Sequence, residues 1–126
     1  MTMRTIPLGG DPSQWGPIDV EQHKKSAAAA PEVLEIGPVP EGLVWVLSHV
    51  ACEDETTAFT KVRVGIADSL SFRPLEEQDP GIADELYTIP EPIIVPEGKY
   101  LRAQFTGTTS GDMLALYING HWLRRG

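Results

Sequence analysis

The fold is indicated first by residues 59–67, FTKVRVGIA, and residues 100–106, YLRAQFT. In the first stretch Val62, Val64 and Ile66 alternate with charged or small residues, and apolar and polar residues also alternate in the second. A period of two places alternate side chains on opposite faces of a β-strand. Each stretch therefore predicts a strand with one buried and one wet face, as in antiparallel sheets.

Similar runs continue on both sides of these stretches and are separated by turn residues. The 12 glycines and 11 prolines favour many turns between short elements. The run Leu43–Cys52 is apolar on both faces, apart from Ser48 and His49, so we expect it to lie centrally in its sheet. We predict short strands at Val33–Ile36, Leu43–Cys52, Phe59–Ala67, Ser71–Leu75, Glu85–Ile89, Ile93–Val95, Tyr100–Thr106, Met113–Ile118 and His121–Arg124.

Turn signals suggest how these strands are arranged. Asn119-Gly120 predicts a type I′ hairpin between the last two strands. Residues 39–42 and 95–98 both read VPEG, which predicts two equivalent tight turns, each with proline second and glycine fourth. Two equivalent turns suggest two equivalent sheets. We therefore predict an all-β protein, an antiparallel β-sandwich of jelly-roll type with eight or nine short strands over residues 33–126. An immunoglobulin-type sandwich is the alternative, although its Cys–Trp–Cys framework is missing.

Residues 1–32 differ in kind and are predicted to form an extended N-terminal arm. The apolar residues Ile6, Trp15 and Ile18 are isolated there and follow neither strand nor helix periodicity. Over residues 18–30 a short helix is an alternative, because a proline precedes the segment and lysines follow acids along it. A lone domain has no evident need for such an arm. We therefore predict that Ile6, Trp15 and Ile18 contact a neighbouring subunit.

Charge is distributed unevenly along the chain. Ten basic against 18 acidic residues give a net charge of -8, which opposes binding to nucleic acid or to anionic membranes. Residues 1–30 hold three basic and three acidic residues, so the net charge belongs to the predicted sandwich. At its end, Trp122, Arg124 and Arg125 bring apolar and positive groups to an acidic body. We predict that this C-terminal edge contacts an acidic copy of the chain; an edge strand that avoids unwanted pairing is the alternative.

The sequence contains none of the usual catalytic motifs. Its three histidines are far apart, and neither a GxSxG elbow nor a phosphate-binding glycine loop is present. Acidic residues between Glu53 and Glu97 leave a calcium site as an alternative to solvated loops. The single cysteine, Cys52, ends an apolar run and is predicted to be buried. We therefore expect a non-enzymatic protein with no catalytic residue, no metal and no cofactor.

A family resemblance extends over most of the predicted sandwich, roughly Val39 to Arg125. Residues 39–66, VPEGLVWVLSHVACEDETTAFTKVRVGI, and residues 93–124, IIVPEGKYLRAQFTGTTSGDMLALYINGHWLR, resemble small jelly-roll or β-sandwich structural proteins of tailed-bacteriophage virions. In those proteins a Pro-Glu-Gly turn precedes a strand, and an acidic loop separates that strand from one with alternating Lys and Arg. Near the end of the chain, Gly-Asp is followed by an apolar run and then by Asn-Gly.

The resemblance implies a virion component made in the host cytoplasm. It would associate with itself and with other virion proteins, such as major capsid, neck or tail proteins, with the N-terminal arm as tether and with no nucleic-acid or membrane partner. Capsid decoration or cement is the leading expectation, and a neck, collar or tail position is the first alternative. A carbohydrate-binding module for host attachment is the second.

Overall fold

The computed structural model describes residues 14–28, 31–79 and 82–125, and within them the protein is all-β, with two antiparallel sheets and no helix. The strands of this described part are β1 (Trp15–Lys25), β2 (Glu32–Ile36), β3 (Leu43–Asp54), β4 (Lys61–Ala67), β5 (Phe72–Gln78), β6 (Tyr87–Thr88), β7 (Ile93–Val95), β8 (Tyr100–Thr106) and β9 (Met113–Arg124). The prediction of an antiparallel sandwich is confirmed.

The strand order is that of a jelly roll. Sheet A has the order β1-β9-β3-β6, with β7 also paired to β3, and sheet B has the order β2-β8-β4-β5. The chain therefore crosses between the sheets after most strands, and the short strands β6 and β7 share one position beside β3. This arrangement makes the first and last strands neighbours and leaves β3 central, as its two apolar faces predicted.

The core lies between the two sheets and follows the predicted alternation. Leu101, Ala103 and Phe105 of β8 are fully buried, and the ring of Phe59 meets that of Phe105 edge to face with centroids 5.3 Å apart. Cys52 is buried there without a disulfide, as predicted. Burial, followed by the charge of Glu53, raises the pKa of its thiol to about 12.

Residues 15–25 form β1, so the interpretation of this segment as an arm, or as a helix over residues 18–30, is wrong. Every residue of β1 is paired with β9, from Trp15 opposite Leu123 to Lys25 opposite Met113. A short helix without an apolar stripe gains little from packing, whereas the strand hydrogen-bonds its backbone to β9 and buries Ile18. The sandwich therefore begins at Trp15, and the earlier part of the predicted arm, residues 1–13, lies outside the described residues.

The predicted Asn119-Gly120 hairpin is also wrong, because both residues lie inside the continuous strand β9. Gly120 instead faces a bulge in β3, where the register shifts between Leu47 and His49. A Cβ atom on Gly120 would lie 2.1 Å from the carbonyl oxygen of Val46. The glycine therefore serves a close backbone approach rather than a turn. Since β9 lies between β1 and β3, the C-terminal strand is interior and not the predicted edge.

The two VPEG turns lie side by side and lead into different sheets. The amide after each turn donates to the proline carbonyl at 3.1 Å, from Leu43 to Pro40 and from Lys99 to Pro96. Proline is thus the first turn residue and not the second. The turn glycines have φ of 83° and 79° and stand third, where a type II turn requires positive φ. One turn precedes β3 of sheet A and the other precedes β8 of sheet B.

Candidate functional site

The outer face of sheet A carries an apolar surface at one end, which we call the four-strand patch. It consists of two rows that the strand register aligns across β1, β9, β3 and β7. The rows are Trp15, Leu123 and Val44, and Pro17, His121, Val46 and Ile94. Side chains directly opposite each other on antiparallel strands have Cβ atoms about 5 Å apart, so the two rows form one continuous surface.

The patch lies on the outward face of sheet A, where Pro17 and Ile94 are exposed and the other five residues are partly buried. On β3 and β9 the alternate residues Trp45 and Trp122 pack against the core, so Val46 and its neighbours in the two rows point outward. Ile94 is 59% exposed, and the rings of Trp15 and His121 meet edge to face with centroids 6.2 Å apart. An exposed apolar patch with a polar rim is typical of an interaction site.

The rest of this outer face is polar. The next row across β1, β9 and β3 is Asp19, Asn119 and His49. Further along, the Tyr117 hydroxyl donates to Glu53 at 2.7 Å, and burial together with that carboxylate raises the pKa of Tyr117. His23 Nε2 lies 3.0 Å from Glu21 Oε1 and the His23 ring meets that of Tyr117 edge to face. The apolar surface therefore has a sharp boundary.

The outer face of sheet B is covered instead by ion pairs. Arg102 Nη2 lies 2.6 Å from Glu35 Oε2, and the same guanidinium lies 5.1 Å from the centroid of the Phe72 ring. Arg63 Nε donates to Glu77 Oε1 at 2.7 Å. Because these charges are paired within the chain, this face has less need of a partner than the four-strand patch.

The residues predicted to contact a partner from the arm are separated by the structure. Trp15 lies in the four-strand patch. Ile18 is 8% exposed and belongs to the chain's own core, so the prediction that it contacts a neighbouring subunit is wrong. Ile6 lies outside the described residues.

The predicted C-terminal contact residues are engaged within the chain. Trp122 packs against the core beside Gly16, where an added Cβ atom would lie 2.5 Å from the indole nitrogen. The Arg124 guanidinium lies 5.6 Å from the centroid of the Trp122 ring. Arg125 Nη1 donates to Glu97 Oε1 at 3.3 Å, and its amide donates to the Gly42 carbonyl at 2.7 Å, which ties the C-terminus to both VPEG turns.

Sequence reasoning missed most of the four-strand patch. The sequence signal of the patch is the run of residues 43–52, which is apolar on both faces. By itself this run predicts only that the strand is central. Which outward residues of distant strands stand beside Val44 and Val46 depends on register, and register is not readable from one strand.

A pair of buried carboxyl groups lies at the other end of sheet A, where β3 ends and β9 begins. Asp54 is 0% exposed and Asp112 is 2% exposed. Asp54 Oδ1 accepts the amides of Thr56 and Thr57 at 3.0 and 3.2 Å, and Asp112 Oδ2 accepts the Thr57 hydroxyl and the Thr109 amide. These bonds hold the β3–β4 and β8–β9 loops together.

The two carboxyl groups have unequal proton affinities. Burial, followed by the facing Asp112 carboxyl, raises the pKa of Asp54 to about 6. Burial acts to raise the pKa of Asp112 as well, but hydrogen bonds from Asp54 and Thr57 hold it below its usual range. Of the two carboxyl groups, Asp54 is therefore the one that takes up a proton first as the pH falls. Among the described residues no group of three or more histidine, cysteine or carboxylate side chains comes together as a metal site.

No protein-family model, curated protein or solved structure matches the chain. In the part of the chain that the structure describes, no helix is long and apolar enough to cross a membrane.

Proposed function

We propose that this protein is a non-enzymatic structural subunit of a tailed-bacteriophage virion that associates with copies of itself through the four-strand patch. Its proposed place is capsid decoration or cement, beside the major capsid protein, with a neck, collar or tail position as the alternative. The observation that carries the proposal is the outward-facing, partly exposed apolar surface across β1, β9, β3 and β7. The jelly-roll strand order is consistent with the resemblance to virion proteins, but a fold alone is compatible with many functions.

Charge favours a second copy as the occupant of the patch. Each chain has a net charge of -8, so two copies repel each other across most of their surfaces. The two rows of the patch contain no carboxylate. The centre of a protein interface is typically depleted of charged residues, and this surface has that composition. Copies can therefore approach each other most favourably there.

The position of the patch also favours a protein partner over a small molecule. Small-molecule sites are usually concave pockets with a few convergent polar groups, whereas this patch is an outward face of a sheet. Its histidine, His121, contacts the ring of Trp15 and the patch contains no carboxylate to act with it. The surface is therefore suited to docking.

A carbohydrate-binding module has weaker support from the geometry. Trp45, Trp122 and Tyr87 are partly buried and pack against the core, which limits the ring surface that a sugar could contact. The Tyr117 hydroxyl is bonded to Glu53. We therefore do not favour this second function.

The proposal is tested by the mass of the full-length protein in solution, measured by light scattering over a range of concentrations. We expect the wild-type mass to exceed that of one chain. Val46→Glu should weaken association by about tenfold or more, since it places an unpaired charge in an apolar interface. Gln104→Glu, which adds the same charge to the outer face of sheet B, should leave the mass unchanged. A wild-type protein that stays a single chain, or equal effects of the two substitutions, would refute the proposed role of the patch.

A further inference from the structure

In the described part of the chain β1 lies at the end of sheet A, and its pairing with β9 shows which of its backbone groups point away from the sheet. Within the described residues β1 pairs with β9 alone. The Gln14 carbonyl accepts the Arg124 amide at 2.8 Å, so even-numbered residues of this segment direct their backbone groups toward β9. The odd-numbered residues then direct theirs outward. Pro17, which has no N–H to donate, belongs to the outward set, as expected for proline in an edge strand.

The outward groups available for pairing extend from Asp19 to Lys25. Pro17 interrupts the row of donors at one end, and β1 ends at Lys25. The middle of this segment is Gln22. An antiparallel partner with the same sequence would therefore make the longest uninterrupted ladder when the two strands cross at Gln22.

We infer that two copies of this chain pair through β1, antiparallel, about a two-fold axis at Gln22. This register places Asp19 opposite Lys25 of the other copy and Glu21 opposite His23. The opposite charges of Asp19 and Lys25, which face each other across the strands, stabilise the pairing. The inference rests on the proposed self-association but does not involve the four-strand patch.

Neighbouring registers are less favourable. An axis at Val20 would place Asp19 opposite Glu21, and an axis at Glu21 would place that carboxylate opposite itself. Like charges directly opposite each other destabilise a strand pair. An axis at His23 would keep an opposite-charge pair, Glu21 with Lys25, but would shorten the ladder, because Asp19 would lie opposite Ala27, beyond the end of β1. Charge and ladder length together therefore favour the axis at Gln22.

In the described part of the chain no strand pairs with the outer edge of β1, whereas side chains close the neighbouring edge of β2. Gln22 Oε1 accepts the Glu35 amide at 2.7 Å, and Lys24 Nζ donates to the Val33 carbonyl at 3.2 Å. These contacts block backbone groups of β2 that another chain would need. A groove of about 370 Å³ lies beside them, lined by Gln22, His23, Lys24, Val33, Glu35 and Tyr100.

Pairing through β1 leaves the four-strand patch accessible. Trp15 and Pro17 lie outside the paired segment, and the antiparallel arrangement places the two patches at opposite ends of the joined sheet. Each subunit would then have two separate contacts with other copies, as an extended assembly requires.

The pairing is tested by disulfide cross-linking of the full-length protein. The two copies of residue 22 would form a non-hydrogen-bonded pair with Cα atoms about 4.5 Å apart, within disulfide range. Gln22→Cys should therefore give a covalent dimer on oxidation. Val20→Cys is the matched control on the same strand face, because it lies opposite Lys24 and its two copies are about 13 Å apart. Cys52 is 1% exposed and contributes no background.

We expect at least about tenfold more covalent dimer from Gln22→Cys than from Val20→Cys. Added to Gln22→Cys, Asp19→Lys should lower the dimer yield by about tenfold, since both Asp19–Lys25 contacts become repulsive. Further addition of Lys25→Asp should restore it. No dimer from Gln22→Cys, equal yields from the two cysteine variants, or no recovery in the charge swap would overturn the inference. Val46→Glu should leave this cross-link intact, so failure of the β1 contact and failure of the patch contact are distinguishable.

Discussion

The outer faces of the two sheets differ although both sheets bury the same core. On sheet B, Arg102 is paired with Glu35 and Arg63 with Glu77. On sheet A, an apolar surface centred on Val46 stands beside a polar region that begins with Asp19. A face that pairs its own charges contributes to the stability of the single chain. A face that leaves apolar side chains in water gains free energy when another surface covers it. We therefore expect sheet B to affect stability, and the outer face of sheet A to affect association.

The largest difference is expected at the glycines that face bulges in the two sheets. An added Cβ atom would lie 2.1 Å from the Val46 oxygen at Gly120 and 2.1 Å from the Arg73 oxygen at Gly65. Gly120→Ala should lower the free energy of unfolding by about 3 kcal/mol, since β3 and β9 are interior strands that cannot separate easily. Gly65→Ala should lower it by about 1 kcal/mol, because the edge strand β5 can shift outward. Urea unfolding measures both.

Equal losses, or a larger loss at Gly65, would contradict the expectation that interior strands of sheet A are less tolerant than the edge of sheet B. Wild-type protein and both variants should be compared at the same pH, since stability is expected to depend on it.

A smaller effect is expected where charges of like sign meet at the end of sheet A. The pKa of Asp54 in the folded protein, about 6, is above its usual value of 3.8, so the folded state binds this proton more tightly than the unfolded state. The stabilisation is present at low pH and is lost as the pH rises from about 4 to about 6.5, by roughly 2 to 3 kcal/mol. Asp112, whose pKa is lowered, contributes with the opposite sign only below its usual range.

Asp54→Asn should remove this pH dependence, because an amide can donate to Asp112 at every pH and still accept the Thr56 and Thr57 amides. At pH 7 we expect the variant to exceed the wild type by about 1 to 2 kcal/mol in urea unfolding, whereas near pH 4 the two should be similar. An Asn variant that is less stable than the wild type at pH 7 would show that Asp54 is needed there as a carboxylate.

The smallest effects are expected from the ion pairs of sheet B. Arg102→Met should lower the free energy of unfolding by about 1 kcal/mol, since the Arg102 side chain is 21% exposed and also lies over Phe72. Arg63→Met should lower it by less than about 0.5 kcal/mol, because Arg63 and Glu77 are each 43% exposed. Light scattering should find the same mass for both variants as for the wild type. A change in mass with unchanged stability would contradict the expectation that sheet B affects stability and the outer face of sheet A affects association.

The sequence predicts a strand correctly where the deciding pattern lies within the strand itself. The alternation in YLRAQFT predicted β8 with the bounds that the structure shows, Tyr100–Thr106. Two of the wrong predictions came from distant partners. Residues 18–25 contain helix-like charge order but pair with β9, and Asn119-Gly120 has a turn signal but faces a bulge in β3. In each case hydrogen bonds to a strand far away in the sequence outweighed a local preference.

Local pattern alone was sufficient for the strand chemistry of the sandwich, the central place of β3, the buried Cys52 and the presence of the two VPEG turns, though not for the position of proline in them. These features depend on side-chain period and turn preference, which act over a few residues. The candidate surfaces were decided only by the folded chain. The four-strand patch exists because register brings Trp15 beside Leu123, and His121 beside both Pro17 and Val46. Among the described strands, β1 has an unpaired edge because it lies at the end of sheet A, with β9 as its one partner. Such neighbours lie more than 70 residues apart, for example Val46 and His121, so long-range backbone pairing and not local preference selects them.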